Sequence, residues 1–472
     1  MTIDWLNEAK KRKGPFLEDL KGLLRIPSVK DVDSSSPQYP MGQKIGEALN
    51  YVLELGKNAG FTTKNLDGYA GYIEYGDSED YIGVLAHVDV VPAPGEWTSP
   101  PFEPTVRDGK IYARGAIDDK GPGMAAFYAL KILKESGLPI KKRIRLIFGT
   151  DEESGMSCVK HYLKVEPEPI FGFSPDADFP VVHAEKGQIN VKLTISGDAS
   201  SNGAEQLLSF SAGDRVNMVP GQAVAVIETK EPERLAEQFT DFYQAHHLTG
   251  SFEQLSDSQI SLILYGKTVH GMEPQNGINA GLECLYFLRE LHFDGHDRAF
   301  IDFASDCLYH DPFGENLGIA HQEEVLGALT VNAGVLQYNY ENGGSIFLNI
   351  RRPLGIDFER TIKTITEKAD KYGLTVTEKR GSEPHYIPAD HPMITTLQEA
   401  YQKLTGDEPE LLTSGGATYA SLMKNCVAYG AGFPGKPYTA HQIDEYAEID
   451  DLIKAIAIYA QALWGLSLIT LK

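Results

Sequence analysis

YIGVLAHVDVVP, residues 81–92, is apolar almost throughout and carries His87 and Asp89 near its end. A continuous apolar run suits a strand buried on both faces, as in a sheet covered by helices. GYIEYG (71–76) precedes it as another strand. RIRLIFGTDEESG (143–155) follows as a strand running into an acidic turn, with a helix beyond Ser157. Between them a helical stretch runs from Met124 to Ser136. Upstream, Leu17, Leu20, Leu23 and Leu24 keep helical spacing up to the Ile26-Pro27 break, and a second helix spans about Gly42 to Gly60. Strand followed by helix, repeated, predicts an α/β domain.

The texture changes at Glu185-Lys186-Gly187. Residues 188–195 and 258–267 alternate like half-exposed strands, with a helical run from Asn279 to Leu291 among them. VLQYNYENGGSIFLNIRRP (335–353) holds an Asn-Gly turn between two strand-like runs, a hairpin signal. Near Glu383-Pro384 helices return, at about His391–Thr405 and Asp450–Leu471. The expected fold is an α/β domain, a mixed sheet with helices on both faces, interrupted by an inserted α+β domain. Its bounds are 1–186 and 384–472 for the host and 187–383 for the insertion.

The chain has 472 residues, 42% hydrophobic and 23% charged, which excludes a disordered chain, a collagen repeat and a coiled coil. Lys and Arg number 43 against 66 Asp and Glu, for a formal net charge of −23. Such a field repels phosphate backbones and anionic lipid, so neither nucleic acid nor a membrane surface is expected as a partner. Cys158, Cys284, Cys307 and Cys426 are scattered with no CxxC pair, which fits a reducing compartment. MTIDWLNEAKKRKG lacks the apolar run of a signal peptide, and a cytoplasmic location is expected. The uncharged stretch from Ala455 to Leu471 is broken by Gln461 and flanked by Lys454 and Lys472. It reads as a buried C-terminal helix capped by Asp450 and Asp451 rather than as a membrane anchor.

Four short segments set acidic and imidazole groups just past strand-like runs. In His87-Val88-Asp89, residues two apart share a face, so Asp89 can accept the free ring N–H of His87 and fix which nitrogen meets a metal. Asp118-Asp119 lies in RGAIDDKGPG, ahead of a helix, where an ordinary N-cap is the plainer reading. Asp151-Glu152-Glu153 places three repelling carboxylates together, so a cation or open solvent must lie beside them. Asp176 and Asp178 follow IFGF in SPDAD. Taken singly, each is more often structural than functional. Their joint placement at the strand ends of one α/β sheet is the stronger signal, because ligands gather there.

The set HVD, RGAIDDKG, GTDEES and SPDAD, followed by Tyr438-Thr439-Ala440-His441-Gln442 and Glu445, resembles the co-catalytic di-zinc family of amidohydrolases. That family includes glutamate carboxypeptidase, acetylornithine deacetylase, aminoacylase and carnosinase. The resemblance runs from LLRIPSV (23–29) to the C-terminal helix. Through APGEW, FSPDA, NMVP and EPHYIP it is most like the bacterial PepV-type dipeptidases. It implies a catalytic α/β domain with the insertion as its lid, and two Zn²⁺ per chain, for which Mn²⁺ or Co²⁺ could substitute. Asp118 would bridge the two ions. His87 and Asp176 would complete one site, and Glu153 and His441 the other. Glu152 would be the general base on a water shared by the ions, and Asp89 would orient His87. A cis peptide is implied at Asp118-Asp119.

In the lid the resemblance points to Asn217, His270 and Arg351. His270 would stabilise the oxyanion of the tetrahedral intermediate, and Arg351 offers a planar fork for a terminal carboxylate, with Asn217 beside it. Gly415 and Gly416 would line the substrate site with backbone N–H groups. Ala417 stands where the PepV type has a third glycine, and would be strained if the position needs a left-handed backbone; Ser421 replaces a nearby arginine. A lid of this size implies a monomer. The reading is a zinc dipeptidase acting on small dipeptides with a free N-terminus, with β-alanyl dipeptides such as carnosine left open. An N-acyl-amino-acid deacylase, an amino-acid carboxypeptidase and a non-catalytic binding protein remain as alternatives.

Overall fold

The computed structural model describes residues 3–197 and 203–470. The chain divides into two compact units. The first comprises residues 1–184, 386–413 and 417–472, and the second 185–385 with 414–416.

The first unit is built around a mixed sheet. Its central strands run in the order Thr62–Leu66, Ala70–Tyr75, Arg143–Gly149, Tyr81–His87, Phe171–Ser174, Cys426–Ala428 and Val181–Glu185. Tyr81–His87 lies parallel to both its neighbours, Arg143–Gly149 and Phe171–Ser174, and all seven of its residues are buried. The period of two explains why one short segment can be apolar throughout. Ile82, Val84 and Ala86 join a core shared with helices Lys13–Leu24, Gln43–Asn58, Lys120–Ser136 and Ile449–Leu468. Tyr81 and Leu85 join a second cluster on the opposite face, with Cys158, Val159 and Tyr162 of helix Ser157–Val165. The α/β reading with helices on both faces is borne out.

Several of the expected helix ends move, and the helical run expected from Asn279 to Leu291 is Ala280–Leu288. The Met124–Ser136 helix begins earlier, at Lys120, because Pro122 sits in its first turn, where a missing N–H costs nothing. The C-terminal helix runs Ile449–Leu468 with Glu448 at its N-cap and no side-chain cap bond. Asp450 and Asp451 lie within its first turn, where they complement the helix dipole instead of capping it. The helix is long and apolar enough to cross a membrane by length and composition. It is packed into the first unit's core, with Ala455 to Ala460 buried without a break.

The second unit carries an antiparallel sheet in the order Thr249–Gln254, Gln259–Tyr265, Gln222–Glu228, Gln206–Ala212, Thr330–Asn339, Gly343–Arg352, Gly187–Ser196 and Thr375–Ser382. In Gly187–Ser196, Ile189, Val191, Leu193 and Ile195 pack into the core while the residues between them are half-buried. The hairpin turn falls at Asn342-Gly343: Asn339 Oδ1 accepts the Glu341 and Asn342 N–H groups, and Gly343 takes φ 85°. The expected α+β texture is present.

Candidate active site

In the first unit the loops following the parallel strands meet. His87 ends its strand fully buried, and its Nδ1 lies 2.9 Å from the Asp89 carbonyl oxygen. The Asp89 carboxylate is farther from that ring nitrogen, at 3.5 Å. The ring is therefore held first by the backbone of Asp89, and its carboxylate is used elsewhere. It accepts the backbone N–H groups of Glu152 and Glu153, one on each oxygen, both at 3.2 Å. This fixes the turn after Arg143–Gly149 against the end of Tyr81–His87.

Asp118 is buried between two imidazoles. Its Oδ1 is 3.1 Å from His87 Nε2 and its Oδ2 is 2.9 Å from His441 Nε2. Both oxygens of Glu153 lie 3.0 Å from the same His441 nitrogen. Asp176 Oδ2 is 3.8 Å from His87 Nε2. Ligand atoms of His87, Glu152 and Asp176 lie within 4.8 Å of one another, as do those of His87, Asp118 and Glu153. The structure thus brings together His87, Asp118, Glu152, Glu153, Asp176 and His441. Asp151 turns away to Lys30 (2.8 Å) and to the Ser154 and Ser157 hydroxyls, which explains how three consecutive acids coexist.

The peptide bond Asp118-Asp119 is cis. Asp119 occupies the N-cap position of Lys120–Ser136 but makes no cap bond. Its Oδ2 instead accepts the His87 N–H at 3.2 Å. Lys120, fully buried, donates to the carbonyls of Leu23 and Ile26, and burial lowers its amine to about 7.

The electrostatics of the cluster follow from crowding. Burial, with the neighbouring carboxylates adding, holds Glu152 and Asp176 well above the usual carboxylate range, and raises Glu153 as well. Asp118 goes the other way: burial would raise it, but the His441 and His87 rings beside its two oxygens hold it low. Burial opposes charge on His441, yet Asp118 and Glu153 outweigh it and lift the ring to about 10. His87 is raised for the same reason by Asp118 and Asp89. So many carboxylates in a buried space require positive charge among them. His87 Nε2 is buried and makes no hydrogen bond, so it faces the cluster as a site for a proton or a cation. Imidazole and carboxylate are the donors that divalent transition metals such as zinc take. The residues present fit a metal pair.

Sequence reasoning quoted Glu445 without giving it a part. It is fully buried, and its carboxylate binds the loop that carries Asp118. Arg114 Nη1 donates to Oε2 at 2.6 Å and the Gly115 N–H to the same oxygen at 3.1 Å. The Ile117 and Asp118 N–H groups donate to Oε1 at 3.0 and 3.3 Å. Four residues before it, His441 has φ 63°, a left-handed backbone that turns its ring toward Asp118 and Glu153. The only sequence signal was the acid's place beside a candidate ligand.

The second unit holds the remaining candidates. Arg351 is buried; its Nε donates to Asn349 Oδ1 at 2.9 Å and its Nη1 to the Gly415 carbonyl at 3.1 Å. Burial lowers its guanidinium to about 10, and no carboxylate among the described residues pairs with it. His270 Nδ1 accepts the Met272 N–H at 3.2 Å. Asn217 is exposed, and its carbonyl accepts the Gly271 N–H at 2.7 Å. The glycines differ from expectation in part: Gly415 presents its carbonyl to Arg351, and the Gly416 N–H is taken by Ser414 Oγ at 2.9 Å. Ala417 is absent from the positive-φ positions, so the expected strain does not arise.

A fold with metal-binding side chains gathered at strand ends defines a class, and the comparisons place the chain in it. The model of peptidase family M20/M25/M40 matches residues 83–465, and the chain belongs to this family; it is a metallopeptidase. It is 45% identical over 468 residues to YtjP of Bacillus subtilis (strain 168), whose dipeptidase name is provisional, covering 98% of this chain and all of that one. It is 40% identical to a similarly named protein of Staphylococcus haemolyticus (strain JCSC1435), over 98% of this chain and 99% of the relative. Among solved structures, the M20 family metallo-carboxypeptidase Sso-CP2 from Sulfolobus solfataricus superposes with TM-score 0.59 at 18% identity, over 96% and 99% of the two chains. Human carnosine dipeptidase 1 superposes with TM-score 0.58 at 14% identity, over 98% of each. These structures share the fold.

Proposed function

We propose that this metallopeptidase is a zinc-dependent dipeptidase acting on dipeptides with a free N-terminus. The observation that carries the reading is Asp118, whose two oxygens face His87 and His441 with Glu153 and Asp176 alongside. The dipeptidase names of relatives that match nearly its whole length support the substrate class. His87, Asp118 and Asp176 would hold one ion, and Asp118, Glu153 and His441 the other. When bound, the pair supplies Lewis acidity to the scissile carbonyl and acidity to the attacking water.

The chain's own groups do the rest. Glu152, raised by burial, takes the proton of the attacking water and delivers it to the departing amine. Asp89 and Glu445 hold the loops on which these groups stand. In this reading His270 donates to the oxyanion, Arg351 takes the substrate's terminal carboxylate, and Asn217, Gly415 and Gly416 contact the substrate. A monomeric, cytoplasmic enzyme is the form in which this reading operates.

The test is hydrolysis of Leu-Gly, β-alanyl-histidine, Leu-Gly-Gly and N-acetyl-Leu side by side, before and after chelation and on adding back zinc, manganese or cobalt. Cleavage of dipeptides alone, lost on chelation and best restored by zinc, is expected. Deacylation of N-acetyl-Leu with dipeptides untouched would overturn the substrate assignment.

A further inference from the structure

Three strands of the second unit carry an asparagine at the same register. Asn349 on Gly343–Arg352 stands opposite Asn190 on Gly187–Ser196 and opposite Asn332 on Thr330–Asn339. Cross-strand partners share a face, so the three amides form a row across the sheet. Arg351, two residues on from Asn349, lies on that same face, with Thr330 opposite it. Asn332 and Asn349 are buried, in a sheet whose other buried positions are mostly aliphatic.

The row is wired. Asn349 Nδ2 donates to Asn190 Oδ1 at 2.7 Å, which turns Asn349 Oδ1 toward Arg351 Nε, 2.9 Å away. Asn332 Nδ2 donates to the carbonyls of Val216 and Met218, at 3.0 and 2.9 Å, on either side of Asn217. Met218 forms a β-bridge with His270. A methyl group on Gly271 would sit 2.9 Å from Asn332 Nδ2, so this loop is seated directly on the amide. The middle of the row, Asn349, orients Arg351, and one end, Asn332, holds the loops of Asn217 and His270.

We propose that Asn349 is a positioning residue for substrate recognition, an uncharged acceptor that aims the Arg351 fork while leaving its charge for the substrate's carboxylate. The inference rests on Arg351 as the carboxylate-binding group. A guanidinium has five N–H donors. Among the described residues two are engaged, by Asn349 and the Gly415 carbonyl, which leaves three for a ligand. A carboxylate at position 349 would hold the fork and cancel its charge, with the Asn190 amide turned over to donate where it now accepts. An amide orients without neutralising.

The experiment uses the full-length metal-loaded enzyme, with Leu-Gly as substrate and Leu-glycinamide, which lacks the carboxylate, read as a competitive inhibitor whether or not it is cleaved. Asn349→Asp should raise KM for Leu-Gly at least tenfold, leave kcat within about twofold, and leave Ki of the amide unchanged. Asn349→Ala should raise KM less, about three- to tenfold, and should add nothing on top of Arg351→Ala. Thermal unfolding checks both variants; should Asn349→Ala unfold, the near-isosteric Asn349→Asp carries the test. If Arg351→Ala raises KM for Leu-Gly without altering Ki of the amide while neither Asn349 variant moves KM, the asparagine inference falls alone. An Arg351→Ala enzyme with unchanged KM for Leu-Gly would sink the underlying reading and this inference with it. An equal effect of Asn349→Asp on Leu-Gly and on the amide would show a merely structural role.

Discussion

Replacing Glu445 with alanine removes the carboxylate that ties the Asp118 loop to the segment following His441. Arg114, only 2% exposed, would lose its ion partner and keep a 3.3 Å bond to the Pro92 carbonyl and a contact with the Trp97 ring. Breaking a buried pair by deleting one member costs about 3–5 kcal/mol, because the remaining charge stays buried. The N–H groups of Gly115, Ile117 and Asp118 also lose their acceptor, at about 1–3 kcal/mol for each one left dry. Water entering the vacated space takes over these N–H groups and offsets that second cost, so about 3–5 kcal/mol is the expected loss. Against a typical total of about 5–15 kcal/mol this is severe. It corresponds to roughly 6–20 °C in Tm for a unit of this size. Urea unfolding of metal-free wild type, Glu445→Ala and Glu445→Gln measures it, followed by zinc titration of each folded protein. Glu445→Gln keeps one oxygen for two of the amides but loses the charge facing Arg114, so it should fall between the other two. A Glu445→Ala protein that loses under about 1 kcal/mol and takes up zinc like the wild type would refute the reasoning.

Glu152→Gln should lower kcat by about 10²–10⁴-fold with the metal content unchanged, measured by steady-state kinetics and elemental analysis; activity within tenfold of wild type would remove Glu152 as the base. Gly172 faces Gly83 across two parallel strands, and an added Cβ would lie 2.1 Å from the Gly83 carbonyl. Gly172→Ala should therefore cost at least about 1–3 kcal/mol in chemical denaturation, since the strands must part to accommodate it. Burial raises the thiols of Cys158 and Cys284 to about 12. They should resist a thiol reagent at pH 8 until denaturant is added; fast native labelling at either position would contradict the packing.

Much of the first unit could be read from local sequence. The 81–87 run is apolar because both its faces are covered, and residues along a strand record that directly. The acidic motifs were legible for a related reason: each lies within a few residues of a strand end. What was hidden depends on partners far apart in the chain. Glu445 serves amides more than 300 residues earlier. The row of Asn190, Asn332 and Asn349 exists only once three strands are in register, and nothing near any one of them announces it. Asp89 shows the same limit on a small scale. Its spacing from His87 suggested a bond between carboxylate and ring, whereas its backbone serves the ring and its carboxylate the Glu152 and Glu153 amides.

The strand that opens the second unit, Gly187–Ser196, is paired with the one near its end, Thr375–Ser382, with Gln188 opposite Ser382. Entry and exit of the inserted segment are thus one strand spacing apart, about 4.8 Å. A module with neighbouring ends asks of its host only a narrow gap, which a tight turn could equally bridge. Such a segment can be exchanged in evolution, or in the laboratory, as a cassette. Asn217, His270 and Arg351 would travel with it, while His87, Asp118, Glu152, Glu153, Asp176 and His441 stay behind. What is chosen and what is cut could then change on separate histories.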